Sequence, residues 1–205
     1  PLINWTGDVR YPLPQWFKDI GHNCLTLFTN QTDMEQMRAE GFDSDYLQIG
    51  LDETHFNPFR GKIENTPEIV FMANNYGVFP LSNYRYKVAN TEREAQIYSS
   101  CKIAINISHF NYSRYSSDRL LRAMGSGAFV LSHRFEDIDI DYTPSQLRTF
   151  ADNADLISQI ERYLKEDEQR KTIAANGCMH VRKKATWHSR IIELRKLLKK
   201  YGILQ

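Results

Sequence analysis

The sequence predicts an α/β protein whose strands form parallel sheets. Short apolar segments, such as residues 24–29 and 101–107, alternate along the chain with segments of helical periodicity, such as residues 118–124. This alternation is typical of parallel sheets, because each helix returns the chain to the edge of the sheet where the next strand begins. Hydrophobic residues make up 41% of the chain, which is enough to form a buried core.

The chain up to Ile49 is predicted to form strands linked by helices. Apolar runs bounded by turn residues predict strands at residues 2–6, 24–29 and 46–49. A short helix is expected at residues 15–20, after two prolines. Thr32 or Asp33 is expected to cap a second helix, which ends at Gly41.

Residues 52–67 interrupt this alternation. The stretch contains Pro58, Gly61 and Pro67 and has no apolar periodicity, as expected of a linker between two domains. The alternation resumes after it. Strands are predicted at residues 68–73, 101–107 and 128–132, and helices at residues 92–99, 118–124, 155–164 and 191–201.

The most informative segment runs from residue 102 to residue 132. A strand leads through a polar, aromatic loop into a helix that begins near Ser117. This order places the N-terminus of the helix at the carboxyl edge of a parallel sheet, where ligands bind in open α/β folds. The free N–H groups of the helix and the guanidinium of Arg119 favour an anion there, and a diphosphate fits this charge. The alternative is that Ser117 only caps the helix and Arg119 pairs with a surface carboxylate.

Side chains near this helix suggest further ligand contacts. His109, Phe110, Tyr112 and Tyr115 lie in the preceding loop, and their rings suit stacking on a base or a sugar. The alternative for them is ordinary packing of the loop. His133 follows the next strand at the same edge and is either a contact to the ligand or a structural residue.

Composition narrows the class of protein. The net charge of +1 does not indicate a protein that binds nucleic acid or a membrane surface. No apolar run approaches the roughly 20 residues needed to span a bilayer. The 3 cysteines lie far apart, which favours free thiols in a reducing compartment and predicts a cytoplasmic location.

Two charge patterns admit other interpretations. Asp-x-Asp pairs occur within residues 136–141 and at residues 43–45, and such pairs can hold a metal. Short acidic runs are more often solvated loops, and we predict no metal site. The basic C-terminus either contacts an anionic partner or is a surface helix whose apolar stripe, Ile191, Leu194 and Leu198, packs on the core. We favour the surface helix.

Several segments resemble a known family in the expected order along the chain. Residues 98–107 and 117–131 read YSSCKIAINI and SDRLLRAMGSGAFVL. They resemble the donor-binding domain of group 1 glycosyltransferases, and the spore-maturation-type enzymes are the most similar subgroup. Residues 4–10, 68–75 and 186–190 resemble, respectively, the first-domain strand and turn, the start of the second domain and the closing helix of that subgroup.

The resemblance implies a GT-B architecture, in which two Rossmann-like domains face a cleft. The expected divisions are an incomplete first, acceptor-side domain, a linker, a donor-binding domain and a C-terminal amphipathic helix, at residues 1–57, 58–67, 68–185 and 186–205. The implied partners are a nucleotide sugar and an acceptor that remains open, whether a glycan, a cell-wall polymer, a protein or DNA. No cofactor and no metal are expected, and the family expectation is retention of the anomeric configuration.

The resemblance also implies roles for individual residues. Arg119 and the N-terminus of its helix are expected to hold the diphosphate. The cleft-facing residues of the first domain are expected to be Gly7 and Asp8, with Asp8 as a catalytic carboxylate. The remaining expected donor-binding residues are Asn74, Asn75, Arg85, Ser108, Ser117, Asp118 and Arg122. His133 is expected to act at the donor sugar, and His109 and Tyr112 to face the cleft.

The chain departs from the family pattern in ways that keep other functions open. The family usually carries Glu where this chain has Arg122, and the segment between Arg85 and Glu92 is shorter than usual. The first domain is represented only by its last portion. The alternatives are a non-catalytic subunit that binds nucleotide sugars, or a module that binds nucleic acid through its C-terminal helix.

Overall fold

Two parallel sheets form the framework of the computed structural model, which describes residues 2–10, 12–59, 61, 63–64, 66–72, 91–108 and 110–205. The first sheet has the strand order β1-β2-β3 and the second β4-β5-β6-β7. The strands are β1 (Leu2–Thr6), β2 (Cys24–Phe28), β3 (Ser44–Tyr46), β4 (Ile69–Phe71), β5 (Ile103–Asn106), β6 (Phe129–His133) and β7 (Arg148–Phe150). This arrangement confirms the predicted α/β class with parallel sheets.

Helices connect the strands within each sheet. The first unit, built on β1–β3, contains α1 (Gln15–Gly21) and α2 (Gln31–Ala39). The second unit, built on β4–β7, contains α3 (Thr91–Ser100), α4 (Asp118–Gly125), α5 (Ile138–Asp141), α6 (Asn153–Lys165) and α7 (Asp167–Lys184). A last helix, α8 (Trp187–Lys200), ends the described secondary structure.

Two details of the first unit differ from the sequence prediction. The N-cap of α2 is Asn30, not Thr32 or Asp33, because the extended backbone of Asn30 lets its side chain accept the N–H of Asp33. The third strand is Ser44–Tyr46 and not residues 46–49. Tyr46 already pairs with Phe28, the last residue of β2, so the parallel ladder has no further partner beyond it.

The second unit contains elements that the sequence patterns did not reveal, namely β7, α5 and α7. Helix α7 buries Ile173, Cys178 and Val181, but Gly177 interrupts this apolar stripe. Gly177 is required by packing, since a Cβ there would lie 2.4 Å from the carbonyl oxygen of Gln146. A stripe that contains glycine and short side chains has weak helical periodicity, although it packs closely.

Helix α8 belongs structurally to the first unit. Its partly buried residues Leu194, Leu197 and Leu198 pack against Leu25, Leu27 and Leu47 of the first unit. The prediction that Ile191 shares this buried stripe is wrong, because 56% of its surface is exposed. Trp187 in the first turn packs edge-to-face on Trp5 of β1, and the last turns pack on the first-unit leucines, so both ends of α8 contact the first unit. The predicted boundaries at residues 57, 67 and 185 stay predictions.

In the described part of the chain, no helix is both long enough and apolar enough to cross a membrane.

We expect Gly177→Ala to destabilise the protein by about 1–3 kcal/mol, the range of overpacking substitutions. The clash with Gln146 should outweigh the gain of about 1 kcal/mol that Ala brings to a helix. Urea unfolding measures the change. The exposed Thr172→Ala in the same helix serves as control and should stay within about 0.5 kcal/mol. Equal or higher stability of Gly177→Ala would contradict the packing described for α7.

Candidate functional site

A buried hydrogen-bond network fixes the start of α4 against the carboxyl end of the second sheet. Asn106, the last residue of β5, is 3% exposed. Its Oδ1 accepts the hydroxyl of Ser117 at 3.0 Å, and its Nδ2 donates to Ser132 Oγ on β6 at 2.9 Å. The Ser132 hydroxyl in turn donates to the carbonyl of His133 at 3.0 Å. One amide therefore holds the helix start and two strand ends together.

This network leaves the N-terminus of α4 without a side-chain cap. Ser117 occupies the N-cap position in extended conformation, but its hydroxyl is directed to Asn106 and does not cap the helix. The first N–H groups of a helix have no partner within the helix and carry the positive end of its dipole. The helix start therefore retains its capacity to bind an anion at the carboxyl edge of the sheet.

Arg119 adds a positive charge beside this helix start. Its Nη2 donates to the carbonyl of Ile107 at 3.5 Å, and its Nε is buried with no hydrogen-bond partner among the described residues. The buried Ser108 Oγ, two residues beyond β5, also has none there. In the described chain Arg119 forms no ion pair, so a surface carboxylate does not occupy its guanidinium.

Arg122 is in a different situation, although it lies on the same helix. Its guanidinium pairs with Glu94 at 3.1 Å and with Asp118 at 2.7 Å. Burial raises the pKa of the Glu94 carboxyl, while the charge of Arg122 opposes that rise. Two carboxylates therefore compensate Arg122, and Arg119 is the more available cation for an anionic ligand.

The loop that precedes α4 joins the two units. Ser113 donates its N–H to Thr32 Oγ1 at 3.2 Å, and its carbonyl accepts the N–H of Gln31 at 2.9 Å. Arg114 has a left-handed backbone with φ 54°, and its side chain forms two hydrogen bonds with Asp141. Its guanidinium also lies 4.3 Å from the ring centroid of Tyr46 in the first unit. The loop is thus held from both sides.

The pKa of Tyr115 is influenced by charged groups of both units. Burial raises the pKa of its phenol above the ordinary value, and the Asp8 carboxylate raises it further. The Arg119 guanidinium acts in the opposite direction on the same pKa. Charged groups of both units, Asp8 and Arg119, therefore act on the pKa of Tyr115.

The other predicted site residues have varied positions. Gly7 and Asp8 follow β1, and the Asp8 side chain is 71% exposed and lies 3.5 Å from Arg10. His133 ends β6 and packs edge-to-face on Phe150 at 5.6 Å between ring centroids. Tyr112 stacks on Phe110 at 5.9 Å in the loop. Asn74, Asn75, Arg85 and His109 lie outside the described residues.

The acidic runs do not form a metal site within the described ranges. No group of three or more His, Cys, Asp and Glu side chains there is arranged to hold an ion. Asp137 accepts the Ser113 hydroxyl, Asp139 pairs with Arg134, and Asp141 pairs with Arg114. The three carboxylates of this run therefore turn to three different partners. Asp45 of the other run binds Arg38 and Lys200.

In the sequence analysis, two residues that shape the candidate site were assigned no role. Asn106 was placed within a strand with no role of its own, and Glu94 was not distinguished from its helix. A polar residue at the end of an apolar strand is a signal for Asn106. No local signal exists for Glu94, because its partner Arg122 lies on another helix.

Comparison with known proteins defines the class. A family model described as "Glycosyl transferase-like" matches residues 63–196. HepE from Anabaena, solved with UDP and glucose, has a TM-score of 0.75 at 10% identity, over 97% of this chain and 71% of HepE. Sucrose-phosphate synthase from Thermosynechococcus elongatus has a TM-score of 0.70 at 13% identity, over 98% of this chain and 67% of the synthase. A comparison with curated proteins finds no significant match.

A second bacterial protein supports the same architecture. A glycosyltransferase from Rickettsia africae has a TM-score of 0.68 at 10% identity, over 97% of this chain and 70% of its own. Identities this low establish the fold alone. Two parallel sheets with connecting helices, together with the likeness to these structures, define a GT-B-type α/β fold. The chain belongs to the glycosyl transferase-like family, as the match over more than half of its length shows.

We expect Asp8→Asn to lower the pKa of Tyr115 and Arg119→Ala to raise it, because each substitution removes a charge that acts on the phenol. Ring-labelled tyrosine spectra, assigned with Tyr115→Phe, follow the titration by NMR. The exposed Asp19→Asn on α1 should leave it unchanged. A Tyr115 titration that responds to neither substitution would show that the charges of Asp8 and Arg119 do not act on this phenol.

Proposed function

We propose that this chain transfers a sugar from a nucleoside-diphosphate sugar to an acceptor, and that Arg119 and the N-terminus of α4 hold the diphosphate. The observation that carries this proposal is that the Arg119 guanidinium lacks hydrogen-bond partners for its buried Nε among the described residues. This arginine lies beside a helix start that lacks a side-chain cap. A diphosphate supplies both missing partners, since it accepts hydrogen bonds from a guanidinium and from helix N–H groups.

The chemistry required of the site is stabilisation of the leaving group. In the transfer, the bond from the anomeric carbon to the diphosphate oxygen breaks, and the oxygen leaves with the electron pair. The acceptor oxygen bonds to the anomeric carbon and loses its proton to a base, for which we propose Asp8. Arg119 and the α4 dipole stabilise the negative charge that develops on the diphosphate. We propose that His133 acts at the donor sugar and that these roles require no metal.

The structural neighbours support the choice of ligand. HepE from Anabaena has been solved with UDP-glucose as well as with UDP and glucose. We therefore propose UDP and UDP-glucose as the first ligands to test, with a hexose as the transferred group. We propose that Ser108, Ser117 and Asp118 surround the diphosphate and that Asn74, Asn75 and Arg85 complete the donor pocket. His109 and Tyr112 are proposed to face the cleft.

Finer assignments are also proposals. The quoted motifs favour the spore-maturation-type subgroup, and free thiols at all 3 cysteines suit a cytoplasmic, reducing location. We also propose divisions at residues 57, 67 and 185, which separate a first unit, a linker, a donor-binding unit and the C-terminal helix.

A second function is favoured by one observation. Arg122 stands where the family usually has Glu, and its charge is compensated by Glu94 and Asp118. A chain that has lost a donor contact in this way suits a non-catalytic subunit that binds nucleotide sugars. Binding and turnover therefore have to be measured separately.

The first experiment is calorimetric titration with UDP and UDP-glucose. We expect selective binding that Arg119→Ala weakens by about 1.5–3 kcal/mol, the range of a hydrogen bond to a charged group. Arg162→Ala is the matched control, because it removes an arginine from the exposed face of α6. No binding of either ligand by the folded protein would overturn the proposal.

The second experiment measures hydrolysis of UDP-glucose in the same samples, with and without EDTA. The enzyme proposal expects slow release of glucose, unaffected by EDTA and reduced in Arg119→Ala at least as strongly as binding is, because the arginine acts on the developing charge. Binding of UDP-glucose without any release of glucose would favour the non-catalytic subunit. Loss of turnover with EDTA would overturn the metal-independent mechanism.

A further inference from the structure

A cavity with a mostly apolar lining lies on the second unit, away from the candidate donor site. Its volume is about 780 Å³, within the range of small-ligand sites, about 300–1,000 Å³. It opens between one face of α7 and Pro58 and Phe59, and Gly127, the second residue after α4, lines it. The candidate donor site is at the other end of α4, which is about 12 Å long. The cavity is therefore a separate site.

One face of α7 supplies the apolar side of the cavity. Ala174, Ala175, Cys178 and Met179 line it and recur at the three- and four-residue spacing of a single helix face. The alanine side chains are short, so they leave space between the helix and the opposite wall, to which Phe59 belongs. The thiol of Cys178 donates to the carbonyl of Gly125 at 3.4 Å and is directed away from solvent.

Two large apolar side chains of the cavity are left in contact with water. Phe59 is 89% exposed and Met179 is 63% exposed. Hydrogen bonds hold the backbone of Phe59 in place, since its N–H donates to Asn57 Oδ1 at 3.0 Å and the Asn57 carbonyl accepts the Ser99 hydroxyl at 3.3 Å. An exposed phenylalanine on an anchored turn, beside an apolar cavity, indicates a surface that an apolar ligand covers.

The charged residues that line the cavity are all basic. They are Lys171, Arg182 and Lys183, and no carboxylate of the described ranges lines it. Lys171 lies at one end of the cavity, where it pairs with Asp167 at 2.5 Å and with Glu168 at 3.3 Å. Its charge is therefore compensated within α7.

The uncompensated charge is at the other end, in the last turn of α7. Neither Arg182 nor Lys183 forms an ion pair in the part of the chain that the structure describes. The Arg182 guanidinium donates to the Phe56 carbonyl at 3.5 Å, and its charge counteracts the rise that burial causes in the pKa of Cys178. The negative end of a helix dipole, about half a charge, offsets only part of two cations. This end of the cavity therefore favours one anionic group.

We propose that this cavity binds a fatty acid, with its acyl chain along α7 and its carboxylate at Arg182 and Lys183. The chain fills the apolar part of the cavity and covers Phe59 and Met179, and the carboxylate balances the cations. From Lys171 to Lys183 the helix rises about 18 Å, so the cavity has the elongated form of such a chain.

The size and shape of the cavity favour a single small molecule over other partners. Only 10 residues line it, whereas a stable protein interface takes about 20–30 residues a side. A bilayer surface binds an extended apolar face, and this lining is concave. The inference does not rest on the proposed transfer reaction.

Calorimetric titration with dodecanoate, below its micelle concentration, tests the proposal. We expect one molecule to bind per chain. Decanoate should bind about tenfold more weakly, because two fewer methylene groups are buried. Dodecyltrimethylammonium has the same chain with a cationic head, and it should not bind at the same concentrations. Absence of dodecanoate binding, or equal binding of the cationic amphiphile, would overturn the proposal.

Two pairs of variants locate the bound dodecanoate. Ala175→Trp should abolish binding because its indole occupies the cavity, whereas Thr172→Trp, at an exposed position of α7 that does not line the cavity, should not. Lys183→Gln should weaken binding about two- to fivefold, as for an exposed ion pair. Lys184→Gln is its control, since Lys184 lines a different cavity. Undiminished binding in both Ala175→Trp and Lys183→Gln would overturn the proposal.

Methyl NMR of labelled methionines gives a measurement that needs no cavity variant. The Met179 signal, assigned with Met179→Leu, should shift on addition of dodecanoate, and that of Met37, buried in the first unit, should not. A Met179 signal that does not move while dodecanoate binds would overturn the proposal.

Vesicles and UDP separate this inference from other outcomes. Binding to phosphatidylglycerol vesicles without binding of monomeric dodecanoate would indicate a membrane surface and overturn the fatty-acid site. Dodecanoate binding that persists in Arg119→Ala, or in a protein that does not bind UDP, supports the site whatever the fate of the proposed function.

Discussion

The hydrogen bond from Ser117 to Asn106 is the contact on which the candidate site depends. It joins the N-cap residue of a helix to the end of a buried strand, at 3.0 Å between the two oxygens. A serine in this position ordinarily caps its own helix. Here the hydroxyl bonds to Asn106, so the helix N–H groups stay available, and Arg119, two residues further, lies at the same edge. The site can bind an anion because the Ser117 hydroxyl bonds to Asn106 and does not cap the helix.

The two sides of the cleft differ in charge and in the kind of hydrogen bond they offer. The second unit offers hydrogen-bond donors, from Arg119 and the start of α4, whereas the first unit carries the exposed carboxylate of Asp8. This asymmetry suits a reaction between an anionic donor and a hydroxyl nucleophile. The loop at Ser113 and Arg114 keeps the sides in a fixed relation, since it bonds to residues of both.

The sequence predicted the elements whose patterns are local. Strand β5 is a run of apolar residues between polar ones, and its position and that of α4 followed directly, together with Arg119 at the edge of the sheet. Helix α7 was not predicted, because Gly177 faces a backbone carbonyl and breaks the apolar stripe. Strand β3 ends where β2 ends, a limit set by pairing and not by its own residues.

The parts of the site that were not predicted depend on contacts between distant residues. The compensation of Arg122 by Glu94 joins two helices, and the buried atoms of Ser108 and Arg119 that lack partners among the described residues are recognisable only once their surroundings are known. A sequence shows that these residues are polar, but not that no neighbour satisfies them. Burial and pairing are properties of the packed chain, so they require the structure.

Because α8 returns to the first sheet, the chain connects the two units twice. The chain passes between them near Leu51 and again near Thr186, and these passages lie side by side, with the Leu51 N–H bonded to the Ala185 carbonyl at 2.6 Å. Gly50 lies so near the backbone of Trp187 that a Cβ would stand 2.7 Å from it. A rotation of one unit against the other would break the bonds of Ser113 to Gln31 and Thr32. The loop that precedes α4 therefore also holds the two units together.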